Sequence, residues 1–371
     1  MLKDYMGVLM LNENDELIKR LTRNRPLASI PFGGRYRTID FVLSNMVNAG
    51  VSNIGIFTDG KTRSLMDHLG SGKPWDLARK LNGLFIFNFG YSNIYMNEIE
   101  TLKNNIEYFY RSKENYAILS SSNMVCNIDY EAAAEYHEAS GADITILYKK
   151  VNDGKLNFTE CSVLNIDKNN TVLSVGKNIG TENDDNICME MFIMKKKTLI
   201  SLIVECIKTG YYSSIKEAIY KKLDSLYVNA YEFKGYLSCI SCINSYYKAN
   251  MDLLDLKVSK ELFFNKGLIY TKSQDEAPTH YSHTSKVSNS LIANGCIVEG
   301  NVENSIIFRR VKIHKDAEIK NCIIMQNCEI KAGAKLTNIV IDKHIVIEEG
   351  KELKGDIDFP LVVEKKSSFS G

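Results

Sequence analysis

The sequence of 371 residues predicts an α/β domain followed by a parallel β-helix. Two observations support this fold class. As far as about residue 250, short apolar segments alternate with helical patterns, which is typical of strands and helices that form a βαβ sheet. After residue 282, single apolar residues recur every five or six positions, which is typical of a solenoid. We therefore predict an α/β domain over 1–250, a linker over 251–282 and a β-helix domain over 283–371.

The predicted sheet contains five apolar segments of strand length. They are residues 7–11, 53–57, 116–120, 143–148 and 189–194. Each is bounded by polar residues or glycine, and each is short enough to be a strand rather than a buried helix.

Two helices are predicted between these strands. The first, residues 36–49, carries Ile39, Val42 and Met46 on one stripe, and Gly50 follows it as a candidate C-cap. The second, residues 96–112, repeats apolar residues at the same helical spacing. A leucine-rich segment over 250–268 predicts a further helix, a linker that packs on the first domain.

The β-helix is predicted from eleven β-branched or leucine residues. They are Ile297, Val302, Ile307, Ile313, Ile319, Ile324, Ile330, Leu336, Ile341, Ile347 and Leu353. In a hexapeptide repeat each such residue points inward and stacks on its copy one coil away. An ordinary antiparallel domain is the alternative, but its apolar residues would recur every second position.

The composition excludes several classes of function. Forty-six basic and 45 acidic residues give a net charge of +1, so nothing indicates a nucleic-acid or anionic-membrane surface. Without an evident signal peptide or membrane span, we expect a cytoplasmic protein. Cys239 and Cys242 form a single C-x-x-C, and buried thiols in a reducing cytoplasm explain them better than a zinc site.

One segment carries a specific resemblance. Residues 31–45 read P-F-G-G-R-Y-R-T-I-D-F-V-L-S-N, which resembles a segment of bacterial ADP-glucose pyrophosphorylases. Further matches at 48–51, 54–58, 64–65, 68–70, 74–77, 127–130 and 245–251, together with the β-helix, extend the resemblance over nearly the whole chain. It implies a Rossmann-like (GT-A-like) nucleotidyltransferase domain with a mixed sheet, a left-handed β-helix and a tetramer.

The resemblance fails where active members of the family bind ATP. Their L-A-G-G-x-G-x-R-L loop needs glycines because backbone amides must approach the phosphates closely. Here the three glycines correspond to Asn12, Glu13 and Asp15, and the arginine to Leu17. Each acidic side chain of this loop would repel a phosphate charge by roughly 3 kcal/mol, so we expect the loop not to bind ATP.

The other catalytic segments of the family are also changed. The family's phosphate-pairing lysine corresponds to Leu27 in this chain. Its nucleotide-contacting G-T-x-D-A segment corresponds to residues 97–101. Its two magnesium-binding aspartates correspond to Asn123 and Cys239. Magnesium prefers carboxylates to a neutral amide or a soft sulfur, and losing ~5 kcal/mol of metal stabilisation lowers the rate by about 10³ to 10⁴. We therefore expect no catalytic residue, metal or cofactor site in this chain. Lys177 remains as a candidate remnant of the sugar-phosphate site.

Three functions from different classes fit this pattern. The favoured one is a regulatory, non-catalytic subunit of glycogen biosynthesis, similar to the GlgD-type subfamily, which joins a catalytic GlgC-type subunit in a hetero-tetramer or forms homo-oligomers. Magnesium would then be used by the catalytic partner. The alternative is an intrinsically active glucose-1-phosphate adenylyltransferase, whose carboxylates would come from Asp59 and Asp129. A hexapeptide acyltransferase would need His314 or His344 as its base, and surface histidines explain these two better.

The resemblance also implies a candidate effector site. Arg25 and Arg37 match basic residues that help to bind anionic regulators in some active relatives. Ordinary solvated surface charge explains these arginines equally well, so both interpretations stay open at this point.

Overall fold

In the part of the chain that the structure describes, the first domain is built on a nine-stranded mixed sheet. The computed structural model describes residues 1–58, 60–88, 98–155 and 157–365. The nine strands are Tyr5–Leu11, Asn53–Thr58, Gly83–Asn88, Tyr116–Ser120, Ile144–Val151, Ser162–Ile166, Val172–Lys177, Asp185–Lys195 and Val228–Glu232. Tyr5–Leu11 pairs in parallel with Asn53–Thr58 and with Tyr116–Ser120, and all seven of its residues are buried, as expected of a central strand.

Ten α-helices are described in the same domain and its linker. They are Lys19–Thr22, Thr38–Asn48, Arg63–Leu69, Glu98–Asn104, Ile106–Arg111, Tyr130–Ser140, Lys196–Thr209, Ile215–Lys221, Ile243–Met251 and Leu256–Phe264. Single 3₁₀ turns lie at Glu16–Ile18, Leu27–Ser29, Lys73–Trp75 and Asp252–Leu254. No helix in the described part of the chain is both long enough and apolar enough to span a membrane.

Two hydrophobic cores form on opposite faces of the sheet. Alternate residues of the central strand enter different cores: Leu9 and Leu11 lie in one, Val8 and Met10 in the other. The first core includes helix Thr38–Asn48, and the second includes helix Lys196–Thr209.

All five predicted strands are present, while all three helix predictions need correction. The helix predicted over 36–49 begins at Thr38, because Tyr36–Arg37 pairs with Pro31–Phe32 as a small hairpin. Gly50 follows this helix with φ 93°, and its amide donates to the Val47 carbonyl, as a C-terminal cap requires.

The helix predicted over 96–112 is interrupted at Asn105, whose φ of −121° leaves the helical region; residues 96 and 97 lie outside the described residues. The single helix predicted over 250–268 is also wrong. Helix Ile243–Met251 is followed by a 3₁₀ turn, and Asp255 then caps a separate helix by accepting from the amide of Lys257.

The C-terminal region is a parallel β-helix of short strands. They are His280–Tyr281, Lys286–Ser288, Leu291–Ile292, Ile297–Val298, Asn301–Glu303, Ile306–Ile307, Lys312–Ile313, Glu318–Ile324, Glu329–Ile330, Lys335–Ile341, Val346–Ile347, Glu352–Lys354 and Leu361–Val363. Lys312 pairs with Glu329, and Glu329 with Val346, so one coil takes 17 residues there. Ten of the eleven predicted inward residues are buried or half-buried; Ile297 is 40% exposed, and its neighbour Val298 is the inward residue.

An asparagine ladder follows one corner of the β-helix. Asn289, Asn304, Asn321 and Asn338 all have positive φ, which asparagine tolerates better than most residues. Each side-chain amide donates to the next asparagine at 2.7–2.9 Å, and the last donates to the Gly355 carbonyl. The 15- or 17-residue spacing of these asparagines was visible in the sequence.

The β-helix packs on the first domain through a third hydrophobic core. Phe32, Phe41 and Phe263 of the first domain and linker share this core with Phe308 and Met325 of the β-helix. Polar contacts cross the same boundary. The hydroxyl of Tyr247 donates to the Asn321 carbonyl at 2.8 Å, and Arg25 forms a buried ion pair with Asp342.

Candidate functional site

A cavity of about 750 Å³ lies beside the carboxyl ends of strands Tyr5–Leu11 and Tyr116–Ser120. Ligands of open α/β sheets bind at this end of the strands, so we call this cavity the cleft. Most of the predicted positions meet here: its walls include Asn12, Glu13, Leu17, Asn123, Lys177 and Cys239. Asp15 and Leu27 do not line it, and Leu27 is instead buried in the core between the two domains.

The loop at the entrance of the cleft is held by its own side chains. Oε1 of Glu13 accepts from the Ser122 amide at 2.5 Å and from the Ser122 hydroxyl at 2.6 Å. Burial raises the pKa of Glu13, although these two hydrogen bonds oppose the shift. The side-chain amide of Asn12 donates to Glu98 at 2.9 Å. The side chain of Glu13 therefore accepts hydrogen bonds from both the amide and the hydroxyl of Ser122, beside the ends of the central strands.

The two positions that correspond to the family's magnesium aspartates are adjacent. Nδ2 of Asn123 lies 3.6 Å from Sγ of Cys239, because strand Ser238–Cys239 pairs with Met124–Val125. Oδ1 of Asn123 already accepts from the hydroxyl of Ser121 at 2.7 Å. A hydrogen bond with the thiol of Cys161, together with burial, raises the pKa of Cys239 well above its usual range.

These side chains do not fit a magnesium ion. The amide oxygen is neutral and already engaged, and a thiol with a raised pKa stays protonated at neutral pH. Elsewhere in the described ranges, no group of three or more histidine, cysteine, aspartate or glutamate side chains is arranged to hold a metal ion.

The cleft carries more negative than positive charge. Its lysines are paired: Lys177 forms an ion pair with Glu160, and Lys216 forms one with Glu190 at 2.5 Å. The glutamates that line the cleft are Glu13, Glu16, Glu98, Glu160 and Glu190. Neither Glu160 nor Glu190 was singled out from the sequence, since both are distant in the chain from the matched segments. Such a surface disfavours a triphosphate.

The other candidate catalytic residues lie away from the cleft. Asp129 caps helix Tyr130–Ser140 by accepting from the amides of Glu131 and Ala132, and Asp59 lies outside the described residues. His314 contacts Glu329 at 2.8 Å on the surface of the β-helix, and His344 is exposed at a corner. All nine cysteines are free thiols; Cys239 is buried as expected, and Cys242 is half-buried at the start of a helix.

The candidate effector residues belong to a cationic cluster where the two domains meet. Arg25 is 7% exposed and pairs with Asp342, so it is not a solvated surface charge. Arg37 donates to the carbonyl and hydroxyl of Ser64, and burial lowers its pKa to about 10. Burial, followed by the charges of Arg37 and Arg25, lowers the pKa of Lys343 to about 7. Lys343 was missed from the sequence, because nothing local connects the last coils to Arg25.

Comparisons with known proteins agree with this architecture. The nucleotidyl transferase family matches residues 18–255, and the GlmU-like C-terminal hexapeptide family matches residues 277–358. The chain is 36% identical over 317 residues to the glycogen biosynthesis protein GlgD of Bacillus subtilis, covering 85% of this chain and 82% of that protein. It is 38% identical over 319 residues to GlgD of Geobacillus stearothermophilus, with the same coverage.

The chain is also similar to an enzyme. Glucose-1-phosphate adenylyltransferase of Mycoplasma mobile is 30% identical over 331 residues, which cover 85% of this chain and 84% of that enzyme. The fold, the matched families and these relatives agree, and the chain belongs to the ADP-glucose pyrophosphorylase (glucose-1-phosphate adenylyltransferase) family, in which it is a GlgD-like glycogen biosynthesis protein.

Proposed function

We propose that this chain is a non-catalytic, regulatory subunit that assembles with a catalytic GlgC-type subunit and modulates its synthesis of ADP-glucose. The observation that carries the proposal is the pair Asn123 and Cys239. These residues lie together where active members of the family would hold magnesium, and neither side chain is a carboxylate. The similarity to two proteins named GlgD supports the same function.

The rest of the cleft supports the absence of nucleotidyl transfer. Transfer of a nucleotidyl group depends on positioning and on stabilisation of the phosphate charges. Here the entrance loop offers the carboxylate of Glu13, and Lys177 is neutralised by Glu160. Two independent sources of phosphate binding are therefore lost in addition to the metal ligands.

The intact framework supports a function in assembly. Within the residues that the structure describes, the sheet, two cores on its faces and an interface with the β-helix are formed, although the cleft residues differ from the family's pattern. In a symmetric oligomer, an inactive copy that shares interfaces with active copies can shift their conformational equilibrium. We propose that this chain acts on its partner in that way, within a tetramer, and that magnesium is used only by the partner.

We further propose that the cationic cluster at Arg25, Arg37 and Lys343 binds an anionic effector. Arg25 pairs with Asp342 at the boundary between the two domains, and the charges of Arg37 and Arg25 both act on Lys343 there. The low pKa of Lys343 indicates that its positive charge is not fully compensated there. A bound anion would stabilise that charge and would also contact both domains.

The test is a titration of this chain against a GlgC-type catalytic subunit, with assembled mass and ADP-glucose synthesis followed together. We expect the chain alone to give no turnover of ATP and glucose-1-phosphate. We expect the mixture to form a hetero-oligomer whose kcat, KM or effector response differs at least about twofold from the catalytic subunit alone. A catalytic subunit with a substituted magnesium aspartate serves as a control for assembly without added activity.

Two results would contradict the proposal. One is the absence of both a complex and a kinetic change when the two chains are mixed. The other is turnover by this chain alone at an ordinary enzymatic rate, about 10 s⁻¹. The second result would favour the alternative of an intrinsically active adenylyltransferase.

A further inference from the structure

A second cavity, of about 620 Å³, lies on another side of the first domain. We call it the tyrosine cavity. Helix Tyr130–Ser140, the end of strand Val228–Glu232 and the end of helix Leu256–Phe264 contribute to its walls. Within the described ranges, it shares no lining residue with the cleft. Its volume lies within the range of small-molecule sites in proteins.

Aromatic rings form a large part of the wall. Tyr136, Tyr148, Tyr231 and Phe233 all line the cavity, and the rings of Tyr136 and Tyr231 have centroids 5.4 Å apart at an interplanar angle of 55°. None of the three tyrosine hydroxyls has a hydrogen-bond partner among the residues that the structure describes. A tyrosine offers an apolar ring face and a hydroxyl group that can form hydrogen bonds. It therefore suits a ligand that has an apolar face and several hydroxyl groups.

A buried amide fixes one part of the cavity wall. Asn127 lines the cavity and is 5% exposed. Its Nδ2 donates to the carbonyls of Leu262 at 3.0 Å and Gly267 at 2.9 Å, while its Oδ1 has no partner among the described residues. Because this oxygen is itself shielded from solvent, Asn127 shapes the cavity wall and does not supply a ligand contact through Oδ1.

The charges around the cavity exclude some ligand classes. The cavity walls include three acidic residues, Asp129, Glu232 and Glu261, and two lysines, Lys234 and Lys266. The excess of carboxylates disfavours phosphates and other anions, and the polar side chains disfavour a purely apolar ligand. What remains is a neutral ligand with an apolar face and several hydroxyls.

We propose that the tyrosine cavity binds a neutral hexopyranosyl unit, either as a free sugar or within a glucan. The C–H face of a pyranose ring would pack on the rings of Tyr136 and Tyr231. Its hydroxyls would donate to the carboxylate of Glu232 and would accept from the tyrosine hydroxyls. This inference does not depend on the proposed function, and it concerns a site separate from the cleft.

The test measures sugar binding to the purified full chain by isothermal titration calorimetry and by saturation-transfer NMR. The probes are glucose, maltoheptaose, cellohexaose and inorganic phosphate. We expect at least one sugar to bind and phosphate not to bind at this cavity. Binding of glucose would identify a free-sugar site, and binding of only an oligosaccharide would identify a glucan site.

Three variants locate the binding. We expect Tyr231→Ala to weaken binding of the preferred sugar by about tenfold or more, since a stacked ring is lost. Tyr231→Phe keeps the ring and should weaken binding only about two- to fivefold. Tyr211→Ala removes a tyrosine that is 82% exposed and does not line the cavity, so its affinity should be unchanged.

Folding is checked by the thermal midpoint of each variant, and Tyr231→Phe tests the site even if Tyr231→Ala does not fold. The proposal is overturned if none of the three sugars binds. It is also overturned if the folded Tyr231 variants bind as tightly as the wild-type protein.

Discussion

The side-chain amide of Asn123 lies 3.6 Å from the sulfur of Cys239, although 116 positions separate the two residues in the chain. This contact brings together the two positions that correspond to magnesium ligands in active members of the family. The two residues are adjacent, and neither of them offers a carboxylate. This difference from the active members makes the site open to direct experiment.

Restoring both carboxylates should restore metal binding but not catalysis. In the double variant Asn123→Asp/Cys239→Asp, two adjacent carboxylates would attract a divalent cation. We expect manganese binding that is detectable by electron paramagnetic resonance in the double variant and is absent from the wild-type chain. Turnover should still be absent, because Glu13 remains in the entrance loop. The single variant Asn123→Asp is the matched control, and turnover near ~10 s⁻¹ in the double variant would contradict the prediction.

Replacing Glu13 of the entrance loop with glutamine should make the protein more stable than the wild type at high pH but not at low pH. The pKa of Glu13 is raised in the folded state, so the folded chain binds more protons there than the unfolded chain. Its contribution to stability is therefore complete below the unfolded pKa and is lost as pH rises. Glu13→Gln keeps an acceptor for Ser122 without the charge.

We expect the urea midpoint of Glu13→Gln to exceed that of the wild type at about pH 8 and to approach it at about pH 5. Glu16→Gln, in the exposed part of the same loop, is the control. A difference between Glu13→Gln and the wild type that does not change with pH would argue against this origin.

The ion pair between Arg25 and Asp342 should couple the stability of the two domains. Both side chains are buried, so removing the carboxylate leaves an uncompensated charge. We expect Asp342→Ala to lower the free energy of unfolding by about 3–5 kcal/mol. The exposed pair of Lys331 and Glu348 provides the control, for which Glu348→Ala should cost less than about 1 kcal/mol. Equal losses in the two variants, measured by urea denaturation, would refute the prediction.

A buried histidine should contribute to loss of stability in acid. His137 is 2% exposed, Nδ1 contacts the hydroxyl of Thr145 at 2.7 Å, and burial lowers its pKa to about 4. The unfolded chain binds a proton there at a higher pH than the folded chain, so stability is lost as pH falls from about 6.5 to about 4. The full effect is about 3 kcal/mol.

We expect His137→Gln to reduce the loss of unfolding free energy between about pH 7 and about pH 4.5 by roughly 2 kcal/mol. The exposed His283→Gln serves as the control. If the two variants show the same pH dependence as the wild type, His137 is not responsible.

Anion binding at the cationic cluster should strengthen as pH falls. The pKa of Lys343 is about 7, and a bound anion favours its charged form, so binding takes up a proton near neutral pH. The groups that act on Lys343 are Arg25, Arg37, Asp342 and Lys365. His344 is the next residue, and burial followed by the charges of Lys365 and Lys343 lowers its pKa.

We expect the affinity for sulfate, which stays fully ionised, to rise by up to about tenfold from about pH 8 to about pH 6. Lys343→Gln should weaken binding and remove most of this pH dependence, whereas His344→Gln should retain it. Calorimetric titration at both pH values makes the measurement, and an unchanged pH profile in Lys343→Gln would contradict the assignment.

The sequence predicted those features that depend on local pattern. The five strands and ten of the eleven inward residues of the β-helix follow from the spacing of apolar residues. The wrong predictions also have local causes. Asn105 and Asp255 interrupt predicted helices. Ile297 and Val298 are both β-branched, so the apolar spacing did not show which of the two points inward.

Residue type and spacing are enough to predict the fold class, the replacement of the glycines in the entrance loop and the absence of carboxylates at positions 123 and 239. Which distant groups meet depends instead on how the chain folds in three dimensions. Strand order places Glu13 against Ser122, and packing of the β-helix places Asp342 against Arg25, 317 positions away in the chain. Contacts of this kind depend on how sheets and domains pack, and the local periodicity of a sequence does not specify that packing.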